Sequence, residues 1–269
     1  MSYRVKQSGE VILQETRSLI AKRYRTVTKA VNREFRESES ETANSMYVGS
    51  YGRGTAIDTS DIDILVDLPE AEYARYNAHS GNGQSRLLQA VRSAIQTTYP
   101  RSDIRADGQV VKVTFSDGMK FEILPAFRQE YFGTTYTYPD ANMGGNWRST
   151  NPKSEQESMK QKNTGSNGLL YDTCKHFRRV RDDRFSNYHL SGIVIDSFVY
   201  VAMGDWHWLR DGEASSSPSR TYEQRLLDYF EEHSFSWSLF GLAAPGSEQS
   251  VDINGSITCL EKVLKYIAE

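Results

Sequence analysis

Two aspartates, Asp61 and Asp63, stand two residues apart at the start of a β-prone run, Ile62-Asp63-Ile64-Leu65-Val66. Alternation along a strand turns residues i and i+2 to one face, so both carboxylates reach a single site. Two adjacent anionic groups repel unless cations lie between them, and hard divalent ions such as Mg²⁺ take carboxylate and phosphate oxygens as ligands. A third acid, Glu122, lies within Lys120-Phe-Glu-Ile-Leu-Pro125, on the face opposite Phe121 and Ile123. Upstream, Gly49-Ser50-Tyr51-Gly52-Arg53-Gly54-Thr55 is a glycine-rich turn whose backbone N–H groups can approach phosphate oxygens. Each feature has a plainer use: strand-edge aspartates cap turns, glycines accommodate positive φ, and an acid in an apolar strand can face solvent. Together they supply a phosphate cradle and three metal-binding carboxylates, the set that two-metal phosphoryl chemistry requires.

These residues need strands and a turn to hold them. The runs 46–48 and 62–66 read as strands on either side of the glycine-rich turn, and residues around 104, 110–115 and 119–124 read as further strands. Ser116-Asp117-Gly118 is the hairpin turn between the last two. Apolar residues recur at helical spacing over 10–35 and again over 84–99. The acidic stretch 37–42 has no apolar period and marks a solvated connection, and 142–147 reads as a loop. Helical patterns follow over 154–162, 168–180, 190–203, 222–232 and 257–267, with a Ser- and Gly-rich surface loop over 210–219. The order predicts an α+β catalytic lobe over 1–150 that begins with a long helix, and a helical lobe over 151–269, with the active site in the cleft between them.

The chain has 269 residues, 38% hydrophobic and 25% charged, with no apolar run near the roughly 20 residues of a membrane span. It reads as a soluble cytoplasmic protein: Met1 is followed by no apolar stretch of the kind a signal or transit peptide carries. Cys174 and Cys259 lie far apart without metal-type neighbours, which argues against a disulfide framework or a zinc site and for two small buried hydrophobes. The net charge of −3 argues against a grip on long nucleic acid, which calls for an excess of Lys and Arg. A small anionic substrate held with metal ions needs no such excess.

The turn, the Asp-x-Asp pair and the later single acid together resemble the polymerase-β-like nucleotidyltransferases. More closely, the chain resembles the CD-NTases, bacterial relatives of cyclic GMP-AMP synthase that act as oligonucleotide cyclases in anti-phage CBASS systems, and among them the E-type clade. That resemblance rests on Val48-Gly-Ser-Tyr-Gly-Arg-Gly-Thr55, Ser60-Asp-Ile-Asp-Ile-Leu-Val66, Asp107-Gly-Gln-Val-Val111, Phe121-Glu-Ile-Leu-Pro-Ala-Phe127, Trp147 with Asn151-Pro152, Ser191-Gly-Ile-Val-Ile-Asp196 and Ala244-Pro-Gly-Ser247. It implies a mixed sheet with flanking helices plus a helical lobe. It also implies two ions, Mg²⁺ or Mn²⁺, on Asp61, Asp63 and Glu122, and ribonucleoside triphosphate substrates, ATP among them. A cyclic di- or trinucleotide product and a separate effector protein that reads it complete the expectation. Gly49 and Ser50 would contact the terminal phosphates, and Lys175 the triphosphate.

The remaining candidates divide between ligand and structure. Ser191 is a second triphosphate contact or a plain helix N-cap. Arg53 could reach phosphate from the turn, and Tyr51, Asn163 and Asn167 could meet a base. Trp206, His207 and Trp208 read as packing. Two other readings share the motifs: another transferase of the same fold, tailing RNA or nucleotidylating a small molecule, and an inactive nucleotide-binding scaffold. The first lacks a basic, aromatic-interleaved RNA-binding appendage. The second would be free to lose one of three acids whose mutual repulsion is a stability cost.

Overall fold

The computed structural model describes residues 4–129, 135–213 and 220–269, and these form two compact units. One comprises Ile12–Gly52 and Thr59–Pro152; the other comprises the described residues of Met1–Val11 and Lys153–Glu269, together with Arg53–Asp58. The chain therefore changes unit at Val11 and again on either side of 53–58, divisions that a split at residue 150 does not contain.

The first unit is a sheet with helices on one face. Strands β1 (Ser45–Val48), β2 (Ile62–Asp67), β3 (Asp103–Asp107), β4 (Val110–Thr114) and β5 (Lys120–Gln129) lie in the order β1-β2-β5-β4-β3. Only β2 and β5 run parallel; the other pairs are antiparallel. Register joins Ile62, Phe121, Val113 and Ile104 in one row across four strands, and all four are buried. Helices α1 (Gln14–Arg36) and α4 (Gly83–Thr98) cover that face with Ile20, Val27 and Val31 and with Leu87, Leu88, Val91 and Ile95. Each fully buried Ile or Phe contributes about 1.5–3 kcal/mol of transfer free energy, so this face fixes the register.

Helix α1 starts at Gln14, later than its periodicity predicts, because the residues before Ile12 belong to the other unit: there the Val5 amide donates to Glu223 and the Ser8 amide and hydroxyl to Asp172. It ends where Glu37 turns left-handed, and the buried Asn32 amide donates to the carbonyls of Ser40 and Ala43. The acidic connection is thereby folded back, with Glu39 paired to Arg33 and Lys29.

Three elements depart from the sequence reading. Helix α3 (Glu70–Asn77) buries only Tyr76, too little for an apolar period to show. The expected loop after Pro139 lies within a hairpin, β6 (Thr135–Asp140) paired with β7 (Asn146–Thr150), and β6 extends the sheet from the far end of β5. Its turn is built on Asp140, which accepts from Gln109, from the Asn142 amide and side chain, and from Arg148. Residues 130–134 lie outside the described residues, as does the part of the expected 210–219 loop beyond residue 213.

The second unit contains α5 (Pro152–Gly165), α6 (Leu169–Arg184), α7 (Gly192–Ala202), α8 (Tyr222–Phe240) and α9 (Ile257–Ala268), with a short pair, β8 (Leu242–Ala243) and β9 (Ser250–Val251). Its core gathers Phe177, Phe198, Leu226, Phe230, Leu260 and Leu264. Helix α7 is apolar around most of its surface, as an element enclosed by its neighbours should be. The two cysteines are free and buried, as expected of small hydrophobes.

Candidate active site

The row next to the apolar one carries two of the sequence-predicted carboxylates. Because strand side chains alternate, a step of one residue moves from Ile62 and Phe121 to Asp63 and Glu122, on the face away from α1 and α4. Asp63 and Glu122 are register partners on the parallel pair, about 4.8 Å apart at the backbone. Asp61 precedes β2 by one residue and lines a concavity of about 220 Å³ that Glu122 also lines. The three carboxylates and the Gly49–Ser50 turn thus belong to one unit.

The turn is one short helical segment, α2 (Gly49–Gly52), following β1 directly. Gly49 has φ +57°, and a Cβ there would stand 1.8 Å from Asp63 Oδ2. Its glycine is required twice, by backbone conformation and by the close approach of the Asp63 carboxylate. Tyr51, expected as a base contact, packs tilted at 4.8 Å against Tyr47, which stacks at 4.3 Å on Tyr24 of α1. Burial raises the Tyr51 phenol pKa.

Lys112 was missed by sequence reasoning. It is the register partner of Glu122 on β4, and its Nζ lies 3.5 Å from Glu122 Oε1 and 2.7 Å from Asp107 Oδ2. The hydrogen bond to Asp107 raises its pKa and keeps it charged at neutral pH. A lysine alternating with valines in Val-Val-Lys-Val reads as the wet side of a strand; only the pairing of β4 with β5 shows what it faces.

The donor set fits a hard divalent cation: three carboxylates supply oxygen ligands, two of them on neighbouring strands of one face. Among the described residues no three His, Cys, Asp or Glu side chains are gathered closely enough to hold an ion as they stand.

The other candidate residues lie in the second unit. Arg53, expected at phosphate, is 7% exposed: its Nε donates to Asp196 Oδ2 at 2.9 Å and its Nη1 to Glu155 Oε2 at 3.0 Å. Asp196 also accepts two bonds from Arg178, at 2.7 and 3.0 Å, and one from Thr55 at 2.9 Å. Burial alone would raise the Asp196 pKa; the Arg178 and Arg53 charges outweigh it and hold the carboxyl below its usual range. One signal could have found this network: a lone aspartate in an otherwise apolar helix needs a buried cation. Asn167 is also occupied. Its side chain donates to the Trp208 carbonyl and accepts from Arg210.

Ser191 caps α7, accepting from the Val194 amide at 3.4 Å. Lys175 is half-buried on α6, and burial lowers its pKa. Asn163 accepts from the Tyr171 amide. Trp206 packs on Tyr222 and Trp208 donates to Asp172, so both serve packing as expected.

The family described as the Second Messenger Oligonucleotide or Dinucleotide Synthetase domain, SMODS, matches residues 7–163, more than half of the chain. The chain belongs to the SMODS family. It is a nucleotidyltransferase of the CD-NTase group, with the polymerase-β-like fold. No curated protein matches the sequence.

Solved structures of similar fold include CdnE cyclic dinucleotide synthase of Elizabethkingia meningoseptica, with GTP and Apcpp. Its TM-score is 0.63 at 13% identity, over 98% of this chain and 94% of that one. The Rhodothermus marinus CdnE c-UMP-AMP synthase, with Apcpp and Upnpp, gives 0.61 at 15%, over 92% and 89%. The Escherichia coli MS115-1 CdnC:HORMA-deltaN complex gives 0.59 at 13%, over 94% and 83%. Among the described residues of this SMODS chain, no helix is long and apolar enough to cross a membrane.

Proposed function

We propose that this chain joins ribonucleoside triphosphates into a cyclic di- or trinucleotide, releasing one pyrophosphate for each bond formed. The observation that carries the reading is the pairing of Asp63 with Glu122 on parallel strands, with Gly49 pressed against Asp63 at a distance no other residue allows. Asp61, Asp63 and Glu122 would hold two divalent ions, Mg²⁺ or Mn²⁺. Bound there, the ions lower the pKa of the attacking hydroxyl and neutralise charge on the leaving group.

The chain's own residues place the reactants. Gly49 and Ser50 set their turn against the terminal phosphates of the donor. Glu122 faces the acceptor hydroxyl. That oxygen attacks the donor α-phosphorus in line, the bond to the bridging oxygen of pyrophosphate breaks, and the hydroxyl proton passes to solvent. A second round closes the ring. Arg53 and Asn167 leave the list of substrate contacts, because their polar groups already hold Asp196 with Glu155, and Trp208 with Arg210.

CdnE synthases among the structural relatives support the cyclic product and the E-type clade, and the complex of CdnC with HORMA supports a second protein in the pathway. We assign the product to a separate effector, in cytoplasmic defence against phage.

The test is to incubate the protein with all four ribonucleoside triphosphates and Mg²⁺ or Mn²⁺ and to resolve phosphatase-resistant products by mass. A cyclic product that disappears on chelation supports the reading and names the bases. Extension of added RNA without any cyclic product would replace it with the tailing reading.

A further inference from the structure

The row that holds the carboxylates does not stop at Glu122. Register continues it from Asp63 on β2 through Glu122 on β5 and Lys112 on β4 to Arg105 on β3, so one face of the sheet reads acid, acid, base, base. Lys120, two residues before Glu122 on the same strand, projects to the same face. On the other side of Asp63 the row ends in Val48, which is buried and carries no charge. Positive charge beside the carboxylates in this row therefore lies in one direction only.

The acids and the bases share a concavity: Asp61, Asp103 and Glu122 line it together with Arg105, Lys112 and Lys120, in about 220 Å³. Strand spacing of about 4.8 Å places the backbone of Lys112 roughly 5 Å and that of Arg105 roughly 10 Å from Glu122, the scale of a ribose and the phosphates attached to it. Lys112 is about half exposed and Arg105 mostly so; each is paired to an exposed aspartate, Asp107 and Asp103, a solvent-screened contact that a phosphate can displace. Resting on the reading of Glu122 as the group that faces the acceptor hydroxyl, we propose that Lys112, with Arg105 and Lys120, seats the 5′-triphosphate of the acceptor nucleotide.

The seat gives the sheet a role that the donor contacts do not cover. A nucleotide whose hydroxyl is at Glu122 has its triphosphate carried toward β3 and away from the donor's phosphates. The Lys112 ammonium, beside Glu122, stands where those phosphates would pass. Lys112 is thus a positioning residue for the acceptor, and its loss should tell most on acceptors that carry phosphate.

The experiment compares two acceptors for the same donor: the 5′-triphosphate of each base that wild type joins, and the corresponding nucleoside, which can accept but cannot donate. Linear and cyclic products are separated by mass and summed as first-bond turnover, and kcat/KM is taken for each acceptor with wild type, Lys112→Met and Lys112→Arg. Wild type should prefer the triphosphate acceptor by about tenfold or more, through several charge-assisted contacts. Lys112→Met should cut that preference about fivefold, mainly through KM for the triphosphate acceptor, the effect of one phosphate contact at a half-exposed site. Lys112→Arg should restore most of it. A preference unchanged in Lys112→Met, even with both rates lowered, would assign Lys112 to the fold and overturn the seat. The same follows if wild type shows no preference. No nucleotidyl product from wild type with either acceptor would instead overturn the underlying reading, and the seat with it.

Discussion

Two clusters of charge in this molecule are built on opposite terms. In the sheet unit, Asp61, Asp63, Glu122 and Lys112 are exposed or partly exposed and are set in place by backbone register. In the helical unit, Arg53, Glu155, Arg178 and Asp196 are at most 7% exposed and are bound to one another through four charged hydrogen bonds of 2.7–3.0 Å, including a bidentate Arg178–Asp196 pair. The difference separates charge left accessible to a ligand from charge consumed by the fold. Accessible carboxylates can exchange partners at small cost, whereas buried charges are costly unless each is matched. Sequence proximity does not decide which is which: Arg53 follows the Gly49–Gly52 turn immediately, yet it belongs to the buried cluster.

Asp196→Ala should strain that contrast hardest, because it takes from buried Arg178 the carboxylate it pairs with and leaves Arg53 with Glu155. It should lower the unfolding free energy by about 3–5 kcal/mol, read from chemical denaturation. A pH series sharpens the same point. With its folded pKa held below the ordinary value, Asp196 stabilises the fold at every pH above that ordinary value, near 4, and loses this as pH falls through its folded pKa. The stability gap between wild type and Asp196→Ala should therefore stay constant from neutrality to about pH 4 and shrink below it.

On the sheet side, Gly49→Ala should cost about 1–3 kcal/mol from the left-handed backbone and the contact with Asp63. It should also reduce turnover by about tenfold or more, since the turn and the carboxylate can no longer both keep their places. Retention of full activity would mean that the close approach of Gly49 and Asp63 is not used. Thr221→Ala, which removes half of the capping box with Gln224, should cost only about 1 kcal/mol and leave turnover unchanged. It supplies the scale of an ordinary structural contact in the unit that holds the buried cluster.

The sequence made the carboxylates legible because Asp-x-Asp on a strand and an acid between Phe121 and Ile123 are local patterns. It also marked most helices, whose apolar faces recur at a fixed period. The β6–β7 hairpin was hidden by Pro139 and by the polar turn around Asp140, and α3 by its single buried residue. Partnerships across strands or across the chain were the least legible. Lys112 and Glu122 are ten residues apart in sequence, and Arg53 and Asp196 are 143 apart. A loop arginine and a strand lysine look alike as solvated cations until the fold shows that one is enclosed and the other faces the carboxylates.

The most direct test of the central claim measures two quantities on the same proteins: nucleotide product formed per enzyme, and thermal midpoint, for wild type, Asp63→Asn and Glu122→Gln. The account predicts that each variant loses activity by about a hundredfold or more, because an interaction made at the reacting phosphate is gone. It predicts a thermal midpoint equal to or above that of wild type for Asp63→Asn, since that change relieves repulsion between neighbouring carboxylates. Activity retained in either variant, or lost only in step with a fall in midpoint, would contradict the assignment of this row to catalysis.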